Sequence, residues 1–228
     1  MTTDLEQLAK RAGRELASAP AQDIVRWAVQ TFGTRLVVTS SMQDAVLVHL
    51  VSHIAPGIDV LFLDTGYHFT ETLGTRDAVA ATYDVNLITV TPRHTVAEQD
   101  ARHGPGLHDH DPDLCCALRK LVPLDRVLVD YDAWGTGLRR VEAPGRAGTP
   151  VVSYDAKRGK VKIAPIAAWT DTDVDSYITE HGILVNPLRS AGYRSIGCAP
   201  CTRAVTIGDH GRAGRWVGLA KTECGIHT

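Results

Sequence analysis

From Arg35 onward, short apolar runs alternate with stretches whose apolar residues recur at helical spacing. Arg35–Thr39, Asp59–Leu63 and Asn86–Val90 have the length and the Val, Leu and Ile content of buried strands. Between them, Asp44–His53 and Thr70–Tyr83 read as helices. Two helices are predicted upstream, over Asp4–Ala17 and Pro20–Phe32. Pro20 suits a first helical turn, and Ile24, Trp27 and Ala28 recur at helical spacing. Strands alternating with helices predict βαβ units and a parallel sheet, hence the α/β class. Ligands of such sheets bind beyond the C-terminal strand ends. Those ends are Thr39–Ser41, Asp64–Gly66 and Thr91–Pro92.

Downstream the pattern loosens. Ala101–Asp113 is polar, contains His103, His108 and His110, and reads as a solvated loop before a helix starting near Leu114. Asp132–Thr136 suits a fourth strand, and the Arg-, Gly- and Pro-rich Arg139–Pro150 suits a surface loop. Val151–Tyr154 and Lys160–Ile163 suit a small hairpin, and Trp169–His181 a helix with Thr170 as N-cap. After Pro187 the chain is Gly-rich, which predicts loops and short helices. A length of 228 residues suits one domain with an appendage. The division expected is an α/β domain over residues 1–208 and a mobile C-terminal tail over residues 209–228.

Composition narrows the function. A net charge of −2 provides no basic field for nucleic acid or a membrane surface. No apolar run approaches the roughly 18–20 residues that span a bilayer, and the polar start of the chain lacks the apolar core of a secretory signal. The expectation is a cytoplasmic protein. In that reducing compartment cysteines serve more often as metal ligands or catalytic groups than as disulfides. There are five, so any pairing leaves one over.

Cys115 and Cys116 are adjacent, Cys198 and Cys201 form a Cys-x-x-Cys pair, and Cys224 stands near the end of the chain. Two pairs suggest a four-thiolate site. Zinc is one reading, but zinc ligand pairs are normally spaced by two residues or more. Adjacent thiolates on a helix point apart and meet more easily on a bulky cluster, for which four cysteines are the usual ligands. A redox Cys-x-x-Cys and plain buried cysteines are the remaining readings. Cys224 lies between Lys221 and His227, whose charge would favour a thiolate, and Gly225 beside it permits bending.

Several motifs then carry a resemblance. Cys115-Cys116-x-x-Arg119-Lys120, Trp134-x-Thr136-Gly137-x-Arg139-Arg140, Ser195-Ile-Gly-Cys-x-Pro-Cys-Thr202, Gly211-Arg-x-Gly-Arg-Trp216 and Glu223-Cys-Gly-Ile-His227 resemble assimilatory adenylyl-sulfate (APS) reductases, relatives of the PAPS reductases. The resemblance runs from about Leu36 to Thr228. It implies a Rossmann-like, adenine-nucleotide α-hydrolase-type parallel sheet with helices on both faces. It also implies a 4Fe-4S cluster on Cys115, Cys116, Cys198 and Cys201. PAPS-specific relatives generally lack both cysteine pairs, so the four cysteines favour APS. Pyrophosphatase-type relatives carry a Ser-Gly-Gly-x-Asp-Ser-like loop after the first strand, where this chain has Thr39-Ser40-Ser41-Met42-Gln43-Asp44. That departure argues against an ATP-using thiolation enzyme. PAPS reductase and dual-specificity reductase are the nearer alternatives.

A phosphosulfate anhydride needs dense positive charge, supplied by bidentate arginine and point-charge lysine. Lys120, Arg139, Arg140, Arg212 and Arg215 are the candidates, with Arg119 beside them and Arg146 a weaker one. By resemblance Lys120, Arg212, Arg215 and His227 face the phosphosulfate, and Ser40, the Leu63 backbone and Gly137 cradle the nucleoside. Lys120 lies about one helical turn beyond Cys116. The expected reaction has the Cys224 thiolate attack the sulfate sulfur and expel AMP. Thioredoxin, or a glutaredoxin-like reductant, then releases sulfite by thiol–disulfide exchange. Homo-oligomerisation is not legible in the sequence.

Overall fold

The computed structural model describes residues 2–206 and 211–227, so the boundary expected at residue 208 falls outside the described residues. Six strands form one sheet: β1 Leu36–Thr39, β2 Ile58–Leu63, β3 Val85–Val90, β4 Ala133–Thr136, β5 Val152–Asp155 and β6 Lys160–Ile163. Their order is β3-β2-β1-β4-β6-β5, and only β5 is antiparallel to its neighbour. The expected hairpin is present. β6 also pairs parallel to β4, matching Gly135 with Ile163, so the hairpin extends the main sheet. From β1 the chain passes to β2 on one side, and β4 lies on the other. This reversal opens a crevice beyond Thr39 and Thr136.

Successive residues of the short central strand feed opposite layers, as the strand period requires. Val38 packs with Val60, Phe62 and helix α3 (Val46–Ile54), while Val37 packs with Leu61, Trp134 and helix α8 (Val122–Leu128). Phe62 and Trp134 are fully buried, each contributing on the order of 2–3 kcal/mol of apolar transfer. Helices α1 (Thr2–Glu15) and α2 (Ala21–Phe32) contribute Ala9, Ala12, Ile24 and Ala28 to a third cluster with β5 and β6. Helix α4 spans Thr70–Thr82. Helix α9 (Asp171–His181) begins as expected: the Thr170 hydroxyl accepts the Asp173 N–H at 3.1 Å, and the Asp173 carboxylate accepts the Thr170 N–H at 2.7 Å. No helix among the described residues is long and apolar enough to cross a membrane.

Two segments depart from expectation. The His-rich stretch is not a solvated loop. Helix α5 (Val96–His103) is closed by a Thr95–Glu98 capping box, and helix α6 (Leu107–His110) is anchored by buried Leu107. Its polarity reflects the outer faces of two short helices. The Arg-rich segment 139–150 folds into two 3₁₀ turns, Arg140–Glu142 and Pro144–Arg146, that bury Arg139 and Arg146. These guanidiniums are inside because carboxylates meet them there.

Candidate active site

The strand-end crevice is a cleft of about 1350 Å³, counted with its open mouth. The nucleoside candidates Ser40, Leu63 and Gly137 line it, as do Lys120, Arg139, Arg212 and Arg215. Cys224 and His227 reach it from the tail. The turn after β1 is tightly held. Met42 adopts φ 58°, a costly left-handed conformation for a non-glycine residue. Asn186, fully buried, donates to the Met42 carbonyl at 3.1 Å, and its own N–H donates to the Gln43 carbonyl at 3.1 Å. Gln43 in turn accepts the Ile196 N–H through Oε1 at 2.9 Å. The Leu63 carbonyl is engaged by His68 Nε2 at 2.8 Å.

Lys120 owes its place to a local irregularity. Helix α7 (Pro112–Cys116) runs into α8 through a π-helical segment, Ala117–Leu121, where the Val122 N–H reaches back to the Ala117 carbonyl. Such insertions concentrate at functional sites. Lys120 lines both the cleft and a second, much smaller cavity. All four paired cysteines, 115, 116, 198 and 201, line that second cavity with Tyr67, His108 and Arg119. Cys198 also faces both spaces. The Ala199–Cys201 turn is tied to the β2–α4 connection by the Ala199 N–H donating to the Tyr67 carbonyl at 2.7 Å.

The four thiols perturb one another. Burial, then its three cysteine neighbours, pushes Cys115 up to about 12; burial, then Cys198, pushes Cys201 up to about 11. Burial raises Cys116 as well. Cys198 is the exception: burial opposes ionisation, but Lys120, the Thr65 hydroxyl at 3.3 Å and Arg215 outweigh it and lower its pKa. Burial likewise opposes the Lys120 ammonium, but the neighbouring Cys198, Cys224 and Cys116 sulfurs hold its pKa above the ordinary lysine value. Among the described residues no three His, Cys, Asp or Glu side chains are arranged to hold a single metal ion. A cluster offers separate iron corners and does not need the sulfurs to meet at one point. The four thiols share one cavity, and their donor set is the one such a cluster takes.

The arginines divide sharply. Arg215 lies over the Trp216 ring, 4.5 Å from its centroid, and passes across Gly197 so closely that a Cβ there would strike the guanidinium. Its Nε donates to the Cys201 carbonyl at 3.4 Å. Arg212 is pushed down to about 10 by burial and by Arg146 and Arg215 nearby, and it contacts Ser195 Oγ at 3.4 Å. Arg140 is not among the cleft residues: its Nε donates to the Thr149 carbonyl at 2.8 Å, which turns it aside.

Arg119 is a structural group instead of a substrate contact. It is buried, donates to the Thr65 and His94 carbonyls and to Gln99 Oε1, and lies 5.2 Å from the Tyr67 ring centroid. Arg119→Met leaves these acceptors unpaired in the interior. It is expected to lower stability by about 2–4 kcal/mol, measured by denaturant melts.

The tail lies in the cleft instead of trailing from it. Ile226 packs on the cluster around Trp134, and the His227 ring stacks on Trp134 at 5.8 Å between centroids. Lys162 Nζ donates to the His227 carbonyl and an Arg158 Nη to the Ile226 carbonyl, each at 3.1 Å. Two cationic neighbours expected for Cys224 are otherwise engaged. Lys221 pairs with Asp113. Burial, with Lys162, Arg146, Arg212 and Arg158 around it, holds His227 neutral well below the ordinary histidine range. Its Nδ1 is buried with no hydrogen-bond partner among the described residues. Lys120 and Arg212 instead lie in the electrostatic reach of Cys224.

Residues 35–204 match the phosphoadenosine phosphosulfate reductase domain. The chain belongs to that family. It is 65% identical over 226 residues to the adenosine 5'-phosphosulfate reductase of Streptomyces coelicolor, covering 99% of this chain and 96% of that one. It is 58% identical over 224 residues to the protein of the same name from Mycolicibacterium smegmatis, covering 98% and 95%. The phosphoadenylyl-sulfate reductase of Candida auris, solved as a phosphate complex, superposes with a TM-score of 0.76 at 30% identity over 86% of this chain and 96% of that one. The adenine-nucleotide α-hydrolase-like fold expected from the motifs is therefore the fold of the chain. Within the family frame, Arg146, Asn186 and Glu223 are the residues the motifs undervalued.

Proposed function

We propose that this chain reduces adenosine 5'-phosphosulfate to sulfite and AMP in the cytoplasm, for sulfate assimilation and cysteine synthesis, with thioredoxin as electron donor. The observation that carries this reading is the half-buried Cys224 in a strand-end cleft with Lys120, Arg212 and Arg215. The names of the bacterial relatives, identical at more than half their positions, support APS as the substrate.

The Cys224 thiolate attacks the sulfur of the sulfate group. The new S–S bond forms as the bridging S–O bond breaks, and AMP leaves with that electron pair. Lys120, Arg212 and Arg215 neutralise the sulfonyl and phosphate oxygens as charge moves onto the leaving phosphate. A thioredoxin thiolate then attacks the Cys224 sulfur and sulfite leaves with the bonding pair. The second thioredoxin thiol resolves the mixed disulfide, so the dithiol supplies both electrons. Cys115, Cys116, Cys198 and Cys201 are the residues to hold a 4Fe-4S cluster. Bound there, it supplies a structural and electrostatic anchor between the Lys120 helix and the Cys198–Cys201 turn. In this scheme the described tail from Gly211 onward carries Cys224 first to the nucleotide and then to thioredoxin.

The test is sulfite release by anaerobically purified protein given thioredoxin, thioredoxin reductase and NADPH, with APS and PAPS as alternative substrates. A kcat/KM for APS about a hundredfold above that for PAPS is expected, the scale on which a pocket discriminates against an analogue that adds a polar group. Preference for PAPS overturns the assignment in favour of the 3'-phosphorylated nucleotide.

A further inference from the structure

The tail carries one acidic residue after Gly211, Glu223, immediately before Cys224. Its carboxylate is gripped in bidentate fashion by Arg146, with Nε donating to Oε1 at 2.6 Å and Nη2 to Oε2 at 2.7 Å. Arg212 Nη2 donates to the same Oε2 at 3.2 Å. Arg146 is itself fixed, since its Nη1 pairs with Glu142. Glu142 in turn accepts the Arg139 N–H at 3.1 Å, and Arg139 pairs with Asp171 at the start of α9 at 2.8 Å. A chain of alternating charge thus runs from α9 through the 3₁₀ turns to the residue beside the catalytic cysteine.

The other polar ties of residues 226 and 227 go to main-chain carbonyls. They hold the tail whatever side chain stands there. The Glu223 pair depends on a side chain, and bidentate geometry fixes direction as well as distance. Gly225, at φ 84°, turns the chain just after Cys224, so docking Glu223 on one side of the cysteine and Ile226 on the other orients its sulfur. The Glu223 side chain keeps 22% of its exposure, so the pair remains accessible to water and able to release.

We infer that Glu223 is a positioning residue, a carboxylate latch on Arg146 and Arg212 that docks the tail with Cys224 facing the cleft. The inference rests on Cys224 being the nucleophile of the proposed reaction. The latch closes for attack on the nucleotide and opens when the cysteine S-sulfonate must meet a second protein. Arg146, which the sequence offers as a weak substrate contact, is the latch's fixed half.

Glu223→Gln and Glu223→Asp in the full cluster-bearing protein test this. Without nucleotide, alkylation of Cys224 by iodoacetamide, followed on the tail peptide by mass spectrometry, is expected to run about tenfold faster in Glu223→Gln, the factor set by losing one partly buried ion pair. Glu223→Asp falls between Glu223→Gln and the parent. In single turnovers with APS, S-sulfonate formation falls by roughly tenfold or more in Glu223→Gln while nucleotide Kd stays within about threefold. Unchanged alkylation in both variants overturns the latch. So does a rate loss wholly matched by a loss of nucleotide affinity, which makes Glu223 a binding residue. If the parent protein forms no S-sulfonate on Cys224, the proposed reaction fails, while the alkylation contrast still decides whether Glu223 docks the tail.

Discussion

Cys224→Ser is expected to abolish sulfite release, by about 10⁵-fold or more, the scale on which deleting a covalent nucleophile acts, while nucleotide affinity changes by less than about threefold. Serine keeps the size of the side chain and the tail's other contacts, so the Glu223, Ile226 and His227 ties survive. What disappears is the nucleophilic sulfur beside Lys120 and Arg212. Ser40 and Gly137, the residues proposed to cradle the nucleoside, line the cleft at the strand ends, on other elements. Isothermal titration with APS and a sulfite assay on one preparation separate the two effects. Loss of both together would mean that the tail cysteine serves binding instead of attack.

Cys198→Ala is expected to have the second-largest effect. Cys198 is the one paired cysteine that faces both the cleft and the four-thiol cavity, and Lys120 and Thr65 stabilise its thiolate. Removing it takes one ligand from the proposed cluster and unties the Cys198–Cys201 turn from the Lys120 helix. Because ligand binding contributes directly to the folded state, the variant is expected to lose most of its iron, its visible absorbance and several degrees of Tm. Iron analysis and a thermal melt report this independently of turnover. A variant retaining about four irons per chain, the content of a 4Fe-4S cluster, and an unshifted Tm would show that Cys198 is not a cluster ligand.

The parts of the fold that were legible are those that periodicity controls. The apolar runs at 36–39 and 58–63 must be buried on both faces, which permits little besides a central parallel strand. The pairing of β6 with β4 was not legible, because a four-residue strand does not encode which partner it takes. The α5–α6 region is not legible as helix because α6 has four residues and a single anchor, Leu107, too little to show a period.

The site was legible in its residue types and less so in their directions. Cys115 and Cys116 announce a two-pair arrangement, but nothing in the sequence marks the π-helical insertion that sets Lys120 between two cavities. Arg119, Arg139, Arg140 and Arg146 look alike in sequence, and only their partners separate them. Arg119 finds three acceptors inside, Arg140 finds the Thr149 carbonyl, Arg139 lines the cleft, and Arg146 finds Glu223, 77 residues away. Asn186 left a faint signal, since Asn-Pro marks a turn. That this turn pins the strained loop at Met42 requires the tertiary structure.

The most direct test of the reaction is the mass of the tail peptide. Protein incubated with APS in the absence of thioredoxin, then digested under non-reducing conditions, is expected to carry one added SO₃ group on the peptide containing Cys224, released as sulfite when reduced thioredoxin is added. The adduct on any other residue, or sulfite release with no adduct on Cys224, would contradict the role assigned to this cysteine.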